Sequence, residues 1–283
     1  MVRIITDSTS DMDPVRAREL GIEIIPLRVF FGEESFLDGI EITKEAFFAR
    51  LAAAEELPTT SQLTPEDFLT VFEKDPADPI VGIFLSSQLS GTFQSAVIAK
   101  EMLGDREIYV VDSHMATFGI ALLVEAAVAL RDEGRSAQEI AQAVEELTRR
   151  VRLLAVVDTL TYLKKGGRIS AATAAVGGLL GIKPIVGIDS RGTVEAVGKA
   201  RSMNAGFRWI AERIAKEAPA DLRYPVIYGN ANAPEAMGAC QEVLAPVLET
   251  GRPALHASIG AVIGTHVGPG AAGLAYIAAG DQG

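Results

Sequence analysis

The first half of this 283-residue chain alternates short apolar runs with segments of helical periodicity, and this alternation constrains the fold more than any other feature. The clearest run is Pro79–Leu85, whose apolar composition is typical of a strand buried in a parallel sheet. It leads directly into Ser86, and helical spacing begins after Thr92. Because strands that alternate with helices form βαβ units, the sequence predicts a mostly parallel sheet here.

Helix-start signals add boundaries to these runs. Asp13-Pro14 and Thr64-Pro65 each place a capping side chain before a proline of the first turn, and Ser136 opens a capping box. The predicted strands of the first half are 2–7, 22–31, 79–85 and 107–112. The predicted helices start at 14 and 65 and cover 43–56, 92–103, 115–133 and 136–151.

The second half has a different pattern, in which neighbouring strands also pair as hairpins. Asp189–Gly192 is a turn signal with glycine between two apolar runs, which favours antiparallel pairing. The predicted strands are 153–157, 185–188, 193–197, 225–229 and 254–259, with a last apolar segment at 273–279; the predicted helices are 171–180, 203–217 and 234–249. We therefore predict an α/β protein with an N-terminal mostly parallel α/β domain (1–150), a C-terminal α+β domain (151–283) and a ligand pocket between them.

Composition excludes several classes of function. The net charge of −11 argues against nucleic acid as a partner, because phosphate binding needs an excess of Lys and Arg. The single Cys240 rules out an intramolecular disulfide and a cysteine-rich zinc site. The chain starts directly with a strand, without a signal segment, and no run reaches the roughly 18 apolar residues that span a bilayer. We expect a cytoplasmic protein without a transmembrane segment.

Three polar segments follow apolar runs: Thr59–Gln62, Ser86–Ser95 and Gly264–Gly270. Hydroxyls and backbone N–H groups at the carboxyl end of a strand or the start of a helix are where open α/β folds bind anions. A purely structural interpretation is that Ser90 or Thr92 only caps a helix. The segment 86–92 nevertheless holds more hydroxyls than one cap needs.

The remaining polar groups are less specific. Asp7–Asp11 favours a turn that caps the next helix over a metal site, because no further metal ligands stand nearby. His266 has glycines around it and no second histidine at metal spacing, so structural and ligand-binding roles are equally open. Lys164–Arg168 is either a solvated basic turn or a docking point for an anion, and it lacks the Walker pattern. No G-x-S-x-G elbow supports a hydrolase.

Six motifs in order carry a family resemblance: D-S-T-S-D at 7–11, T-S-Q at 60–62, S-S-x-L-S-G-T-x-x-S-A at 86–96, V-D-S at 111–113, Y-L-x-K-G-G-R-I-S at 162–170 and T-H-V-G-P-G at 265–270. Together they resemble the DegV family over essentially the whole chain. The resemblance implies a protein that holds a long-chain fatty acid in a buried pocket between two α/β domains. It also implies an ATP-dependent fatty acid kinase as a separate partner subunit, to which the carboxylate is presented for conversion to an acyl phosphate.

The resemblance further implies a set of site residues. Thr60 and Ser90 hold the carboxylate, and Arg168 lies at the pocket mouth, where it assists the kinase encounter or phosphoryl transfer. The surroundings of the carboxylate are completed by Ser61, Gly91, Thr92 and His266. The resemblance implies no cofactor, metal or catalytic residue, and it implies a fatty-acid-binding protein rather than an enzyme that acts by itself.

Alternatives stay open at this stage. The aliphatic segments 171–188 and 259–263 supply either a tunnel for the tail or ordinary core. A second function is an independent phosphotransferase or hydrolase that uses Asp7, Ser90 and His266, and a third is a lipid-binding regulator without a kinase.

Overall fold

The computed structural model describes residues 1–169, 181–217, 219–248 and 252–280. Its strands are β1 (Arg3–Asp7), β2 (Ile22–Ile25), β3 (Arg28–Phe31), β4 (Glu34–Leu37), β5 (Thr59–Ser61), β6 (Ile80–Phe84), β7 (Ile108–Asp112), β8 (Val151–Val156), β9 (Lys183–Ile188), β10 (Val194–Ala200), β11 (Ile227–Asn230), β12 (Leu255–Ser258) and β13 (Ala272–Ile277). Its α-helices are α1 (Pro14–Glu19), α2 (Lys44–Ala53), α3 (Pro65–Phe72), α4 (Thr92–Met102), α5 (Phe118–Asp132), α6 (Ala137–Thr148), α7 (Thr161–Lys165), α8 (Met203–Glu217), α9 (Pro234–Leu244) and α10 (Ala261–Val267).

The first sheet confirms the parallel arrangement that the alternating pattern predicts. Its order is β2-β1-β6-β7, and every neighbouring pair is parallel. All five residues of β6 are buried, as its continuous apolar run indicates. The carboxyl ends of β1 and β6 therefore lie side by side and deliver the segments that follow them to one edge of the sheet.

The predicted strand 22–31 is wrong as a single element. The chain divides at Pro26, which has no N–H to donate to a ladder. β2 stays in the parallel sheet, while β3 enters a small antiparallel sheet of order β4-β3-β5. In this sheet Thr60 stands opposite Val29, so Thr59–Ser61 forms a strand rather than only a helix cap.

The second sheet has the order β10-β9-β8-β13-β11-β12 and is antiparallel except for the pair β11 and β12. The hairpin predicted around Asp189–Gly192 joins β9 to β10. Helices α8 and α9 cover one face of this sheet through a separate apolar cluster. The structure thus confirms the prediction of a parallel sheet in the first half and a sheet with antiparallel pairing in the second half.

Helix α5 lies between the two sheets. Ten of its residues are buried, and it contacts β1 and β6 on one side and β8, β11 and β13 on the other. Such all-round burial agrees with its almost uniformly apolar sequence. The predicted domain boundary falls between α6 and β8 and stays a prediction. The predicted helix 171–180 lies outside the described residues, and within those residues no helix has the length and apolar character that crossing a bilayer requires.

Residues 261–267 depart from the sequence interpretation. The sequence predicts a polar, glycine-rich segment at 264–270 after an apolar strand and no helix there, whereas the chain forms helix α10. Its glycines serve close packing: a Cβ at Gly264 would lie 2.6 Å from the Phe47 ring of α2. Tertiary contact therefore overrides the low helix propensity of glycine here.

Candidate functional site

A cavity of about 400 Å³ is lined by residues from both halves of the chain. Most of its wall is aliphatic, including Leu27, Leu85, Leu153, Val186 and Ile263. The volume falls in the usual range for small-molecule sites. Five of the six residues expected around a carboxylate, together with Arg168, line the same cavity: Thr60, Ser61, Ser90, Gly91 and His266.

Thr60 and His266 make the central polar contact of this site, although 206 positions separate them in the chain. Thr60 Oγ1 and His266 Nε2 share a hydrogen bond of 3.0 Å. Strand β5 places the threonine and helix α10 places the imidazole. The two groups are uncharged, and together with the nearby Arg168 they make one end of the cavity polar.

Ser90 lies in the loop between β6 and α4, and its hydroxyl has a local role as well. Its Oγ accepts a hydrogen bond from the Thr92 N–H at 3.3 Å and lies 3.0 Å from Thr92 Oγ1. Thr92 is fully buried behind it, where its Oγ1 accepts from the Leu63 N–H at 3.3 Å. Thr92 is not among the residues that line the cavity, so it contacts Ser90 rather than the enclosed space.

Gly91 leaves space for the side chain of Gln62, a residue to which the sequence analysis assigns no role. A Cβ at position 91 would lie 2.2 Å from the Gln62 side-chain oxygen. Gln62 also lines the cavity, and its amide donates to Ser95 Oγ at 3.3 Å. The only signal for Gln62 in the sequence is its place in the T-S-Q motif.

Burial keeps the His266 imidazole neutral. Desolvation lowers its pKa to about 4, and the positive charge of Arg168 acts in the same direction. Its Nδ1 is buried and has no hydrogen-bond partner within the described ranges. A Cβ at Gly166 would lie 2.3 Å from that nitrogen, so glycine allows the loop after α7 to pass against the ring. A neutral imidazole can both donate and accept a hydrogen bond.

Arg168 lines both the cavity and a second depression, which we call the outer cleft. The outer cleft has a volume of about 450 Å³ and is formed mainly by Glu55–Thr60, Lys165, Gly166, Arg168, Thr265 and His266. The Nε of Arg168 donates to Leu89 O at 3.2 Å and its Nη1 to Gly166 O at 2.6 Å. These acceptors are carbonyls, so in the part of the chain that the structure describes no carboxylate pairs with this guanidinium. Its positive charge is available at the polar end of the cavity.

Asp7 is not part of this arrangement. It is fully buried at the end of β1, where its carboxylate accepts from the Thr9 N–H at 2.8 Å and the Leu85 N–H at 2.9 Å. Burial raises its pKa. Asp7 does not line the cavity with Ser90 and His266, so the structure does not assemble the three residues of the hydrolase alternative. The described residues also contain no group of three or more His, Cys, Asp or Glu side chains placed to hold a metal ion.

The lowered pKa of His266 predicts how the free energy of unfolding depends on pH. Between about pH 4 and its ordinary pKa of 6.5, the unfolded chain binds a proton at His266 and the folded chain does not. Acidification from pH 7 to pH 4 is therefore expected to cost the wild type about 2–3 kcal/mol more than it costs His266→Gln. Chemical denaturation at several pH values measures this difference.

The comparison between variants is necessary because Asp11 acts in the opposite sense: burial raises its pKa to about 7, which favours the folded state at low pH. His256→Gln, which removes an exposed imidazole, is the control. Equal pH profiles for the wild type and His266→Gln would contradict the neutral, buried state of His266.

These features define a class of protein, an α/β protein with a mostly apolar cavity whose polar end holds Thr60, His266 and Arg168. The chain belongs to the DegV family: the family model described as "Uncharacterised protein, DegV family" matches residues 1–279. This match confirms the resemblance carried by the six motifs.

Similar proteins cover the chain almost completely. A DegV domain-containing protein of Caldanaerobacter subterraneus is 35% identical over 277 residues, which span 97% of this chain and 98% of the relative. A fatty-acid-binding DegV family protein from Thermus thermophilus has a TM-score of 0.88 at 34% identity, covering 98% of this chain and 99% of its own. A stearic-acid-binding protein from Eubacterium ventriosum has a TM-score of 0.86 at 27% identity, with 98% of each chain covered.

Proposed function

We propose that this protein binds one long-chain fatty acid, such as palmitate, and presents its carboxylate to a separate kinase subunit for conversion to an acyl phosphate. The observation that carries the proposal is the aliphatic cavity of about 400 Å³ that ends at the Thr60–His266 hydrogen bond. Relatives from Thermus thermophilus and Eubacterium ventriosum bind fatty acids, which supports the same ligand class here. We also propose that the protein acts in the cytoplasm.

The tail supplies most of the binding free energy in this proposal. Each buried methylene contributes about 0.8 kcal/mol, so a 14-methylene tail contributes about 11 kcal/mol before the costs of ordering are subtracted. Among the residues that the structure describes, most side chains that line the cavity are apolar, and Thr117 adds a buried hydroxyl. A saturated chain can therefore be buried mainly through apolar contacts.

The head group is bound by neutral donors. The hydroxyls of Thr60 and Ser90 and the uncharged imidazole of His266 can hydrogen-bond a carboxylate without forming an ion pair. Hydrogen bonds to a charged group contribute roughly 1.5–3 kcal/mol each. Hydrogen bonds from these uncharged groups suit a carboxylate that must later react, because they leave the half-buried guanidinium of Arg168 at the same end for the transfer step.

Presentation to a kinase is the finer part of the proposal. Three residues, Thr60, His266 and Arg168, line both the cavity and the outer cleft, so the polar end of the cavity lies beside a surface depression. The guanidinium can stabilise negative charge that develops during phosphoryl transfer. Stand-alone phosphotransfer or hydrolysis is disfavoured by the separate location of Asp7. A lipid-binding regulator without a kinase remains the alternative to presentation.

Mass spectrometry of lipid released from the purified protein tests the ligand. We expect a long-chain fatty acid at a near-stoichiometric level after expression in a bacterial host. Recovery of no fatty acid, or of a nucleotide in its place, would overturn the assignment. The purified protein alone should show no ATP turnover, and turnover without a partner would favour the phosphotransferase alternative.

Thr60→Ala and Ser90→Ala are expected to weaken fatty acid binding, each by up to about two orders of magnitude, because each removes a hydrogen bond to a charged group. A fatty acid titration beside a thermal melt measures affinity and stability on the same sample. Thr64→Ala is the matched control: Thr64 caps α3 away from the cavity, so its loss should lower stability alone. If Ser90 is only a local cap, Ser90→Ala will behave like this control, losing about 1 kcal/mol of stability at unchanged affinity.

A further inference from the structure

The N-terminus of helix α10 is held by two buried carboxyl groups from the first half of the chain. Asp11 Oδ1 accepts a hydrogen bond from the Gly260 N–H at 2.7 Å, and Asp38 Oδ1 accepts one from the Ala261 N–H at 2.8 Å. The other oxygen of Asp38 lies 3.5 Å from the Val262 nitrogen. The first N–H groups of a helix have no acceptor within it, so these two carboxyls complete the helix end.

Glycine allows the carboxyls and a neighbouring helix to approach α10 this closely. A Cβ at Gly260 would lie 2.9 Å from Asp38 Oδ1 and 3.0 Å from Asp11 Oδ1. One turn later, a Cβ at Gly264 would lie 2.6 Å from the Phe47 ring. Both glycines face groups of the first half of the chain, which leaves α10 little freedom to slide or rotate.

The opposite end of α10 carries the imidazole of the polar end. His266 Nε2 shares the 3.0 Å hydrogen bond with Thr60, while Nδ1 faces Gly166 at the distance of direct contact. If α10 were displaced by a few tenths of an ångström, the hydrogen bond to Thr60 would lengthen or the imidazole would be pressed against Gly166. The position of the imidazole therefore depends on where the first turn of α10 is fixed.

The two carboxyls are buried at a cost in stability, with only 3% of Asp11 and 5% of Asp38 exposed. Burial raises the pKa of Asp11 to about 7, while the positive charge of Lys44 opposes this rise. Asp11 Oδ2 has no hydrogen-bond partner in the described part of the chain, and the Thr117 hydroxyl faces the same carboxyl. Neither aspartate lines the cavity.

We propose that Asp11 and Asp38 are positioning residues for His266: they fix the height and rotation of α10 and thereby hold the imidazole on Thr60 at the polar end of the cavity. The assignment of that end to a carboxylate head group rests on the proposed function. The effect on His266 passes through α10, which carries the imidazole, and the aspartates themselves do not line the cavity.

Asp11→Ala and Asp38→Ala test this proposal, with Asp11→Asn as the conservative variant. An asparagine oxygen can still accept from the Gly260 N–H, so Asp11→Asn should keep the wild-type pKa of His266 and the wild-type ligand preference. Asp13→Ala is the matched control: Asp13 accepts from the Val15 and Arg16 N–H groups at 2.8 and 3.1 Å and caps α1, which contributes nothing to the cavity wall.

Two measurements separate positioning from stability. In the ligand-free protein, an NMR titration of the His266 ring should show its pKa moving from about 4 toward 6.5 in both alanine variants. For binding, the ratio of the dissociation constants of hexadecan-1-ol and palmitate reports recognition of the carboxylate alone. We expect this ratio to fall about tenfold in the alanine variants, with little change for the alcohol, and to stay unchanged in Asp13→Ala and Asp11→Asn.

An unchanged His266 pKa and an unchanged ratio, together with a loss of stability like that of Asp13→Ala, would overturn the proposal. Should Asp38→Ala not fold, the contrast between Asp11→Ala and Asp11→Asn decides it. If the wild type binds neither palmitate nor the alcohol, the proposed function fails instead, and the NMR titration of ligand-free protein still tests the positioning of His266.

Discussion

Octanoate is expected to bind this protein about four orders of magnitude more weakly than palmitate. The two acids share a head group and differ by eight methylenes, which at about 0.8 kcal/mol each amount to about 6 kcal/mol. A difference of about 1.4 kcal/mol corresponds to a factor of ten in affinity. The expectation follows from a wall whose described residues are mostly aliphatic, with a polar end at Thr60 and His266. Calorimetric titration of a series of chain lengths measures the slope per methylene.

A variant that fills the cavity checks where the tail lies. Ala155 on β8 lines the cavity, so Ala155→Leu should weaken palmitate more than octanoate. Ala52→Leu makes the same change on the exposed surface of α2 and should alter neither affinity. An affinity that varies less than tenfold between the two acids would place the tail outside the cavity.

The sequence predicts the parts of the fold that depend on continuous apolar runs. β1 and β6 are almost wholly buried and β7 is partly buried in one parallel sheet, as their apolar composition predicts. The small sheet is not predictable in this way, because β5 consists of Thr59–Ser61, whose hydroxyls equally indicate a helix cap. Its pairing with β3 follows a break at Pro26 within an otherwise continuous strand pattern.

The candidate site shows the same division. Thr60, Ser90 and His266 are named by motifs, and the fold brings them to one cavity. Helix α10 is missed, because Gly260 and Gly264 lower helix propensity locally and only their close tertiary contacts explain them. Long-range contacts of this kind leave no periodic signal in a single sequence.

Arg168→Ala is expected to keep its fatty acid and to lose acyl phosphate formation by about 10²–10³-fold with the proposed kinase. Removing one group that stabilises developing charge in a transition state costs about this factor. The variant should keep its fatty acid because the tail supplies most of the affinity. In addition, the hydrogen bonds of Arg168 go to the Leu89 and Gly166 carbonyls, so its loss removes only one of the side chains that line the cavity. The assay is a reconstituted reaction with kinase, ATP and magnesium, in which hydroxylamine traps the acyl phosphate.

His266→Ala should lose activity by a larger factor than it loses affinity, since the imidazole orients the carboxylate while the tail retains the ligand. Lys164→Ala is the matched control for charge: Lys164 is exposed on α7, four positions before Arg168, and lines neither the cavity nor the outer cleft. Both variants and the control must contain bound fatty acid at the wild-type level for the rates to be compared. Full activity in Arg168→Ala would show that Lys164–Arg168 is a solvated turn without a role in the transfer. Equal losses of activity in Arg168→Ala and Lys164→Ala would attribute the effect to the net charge of this surface rather than to the guanidinium at the cavity mouth.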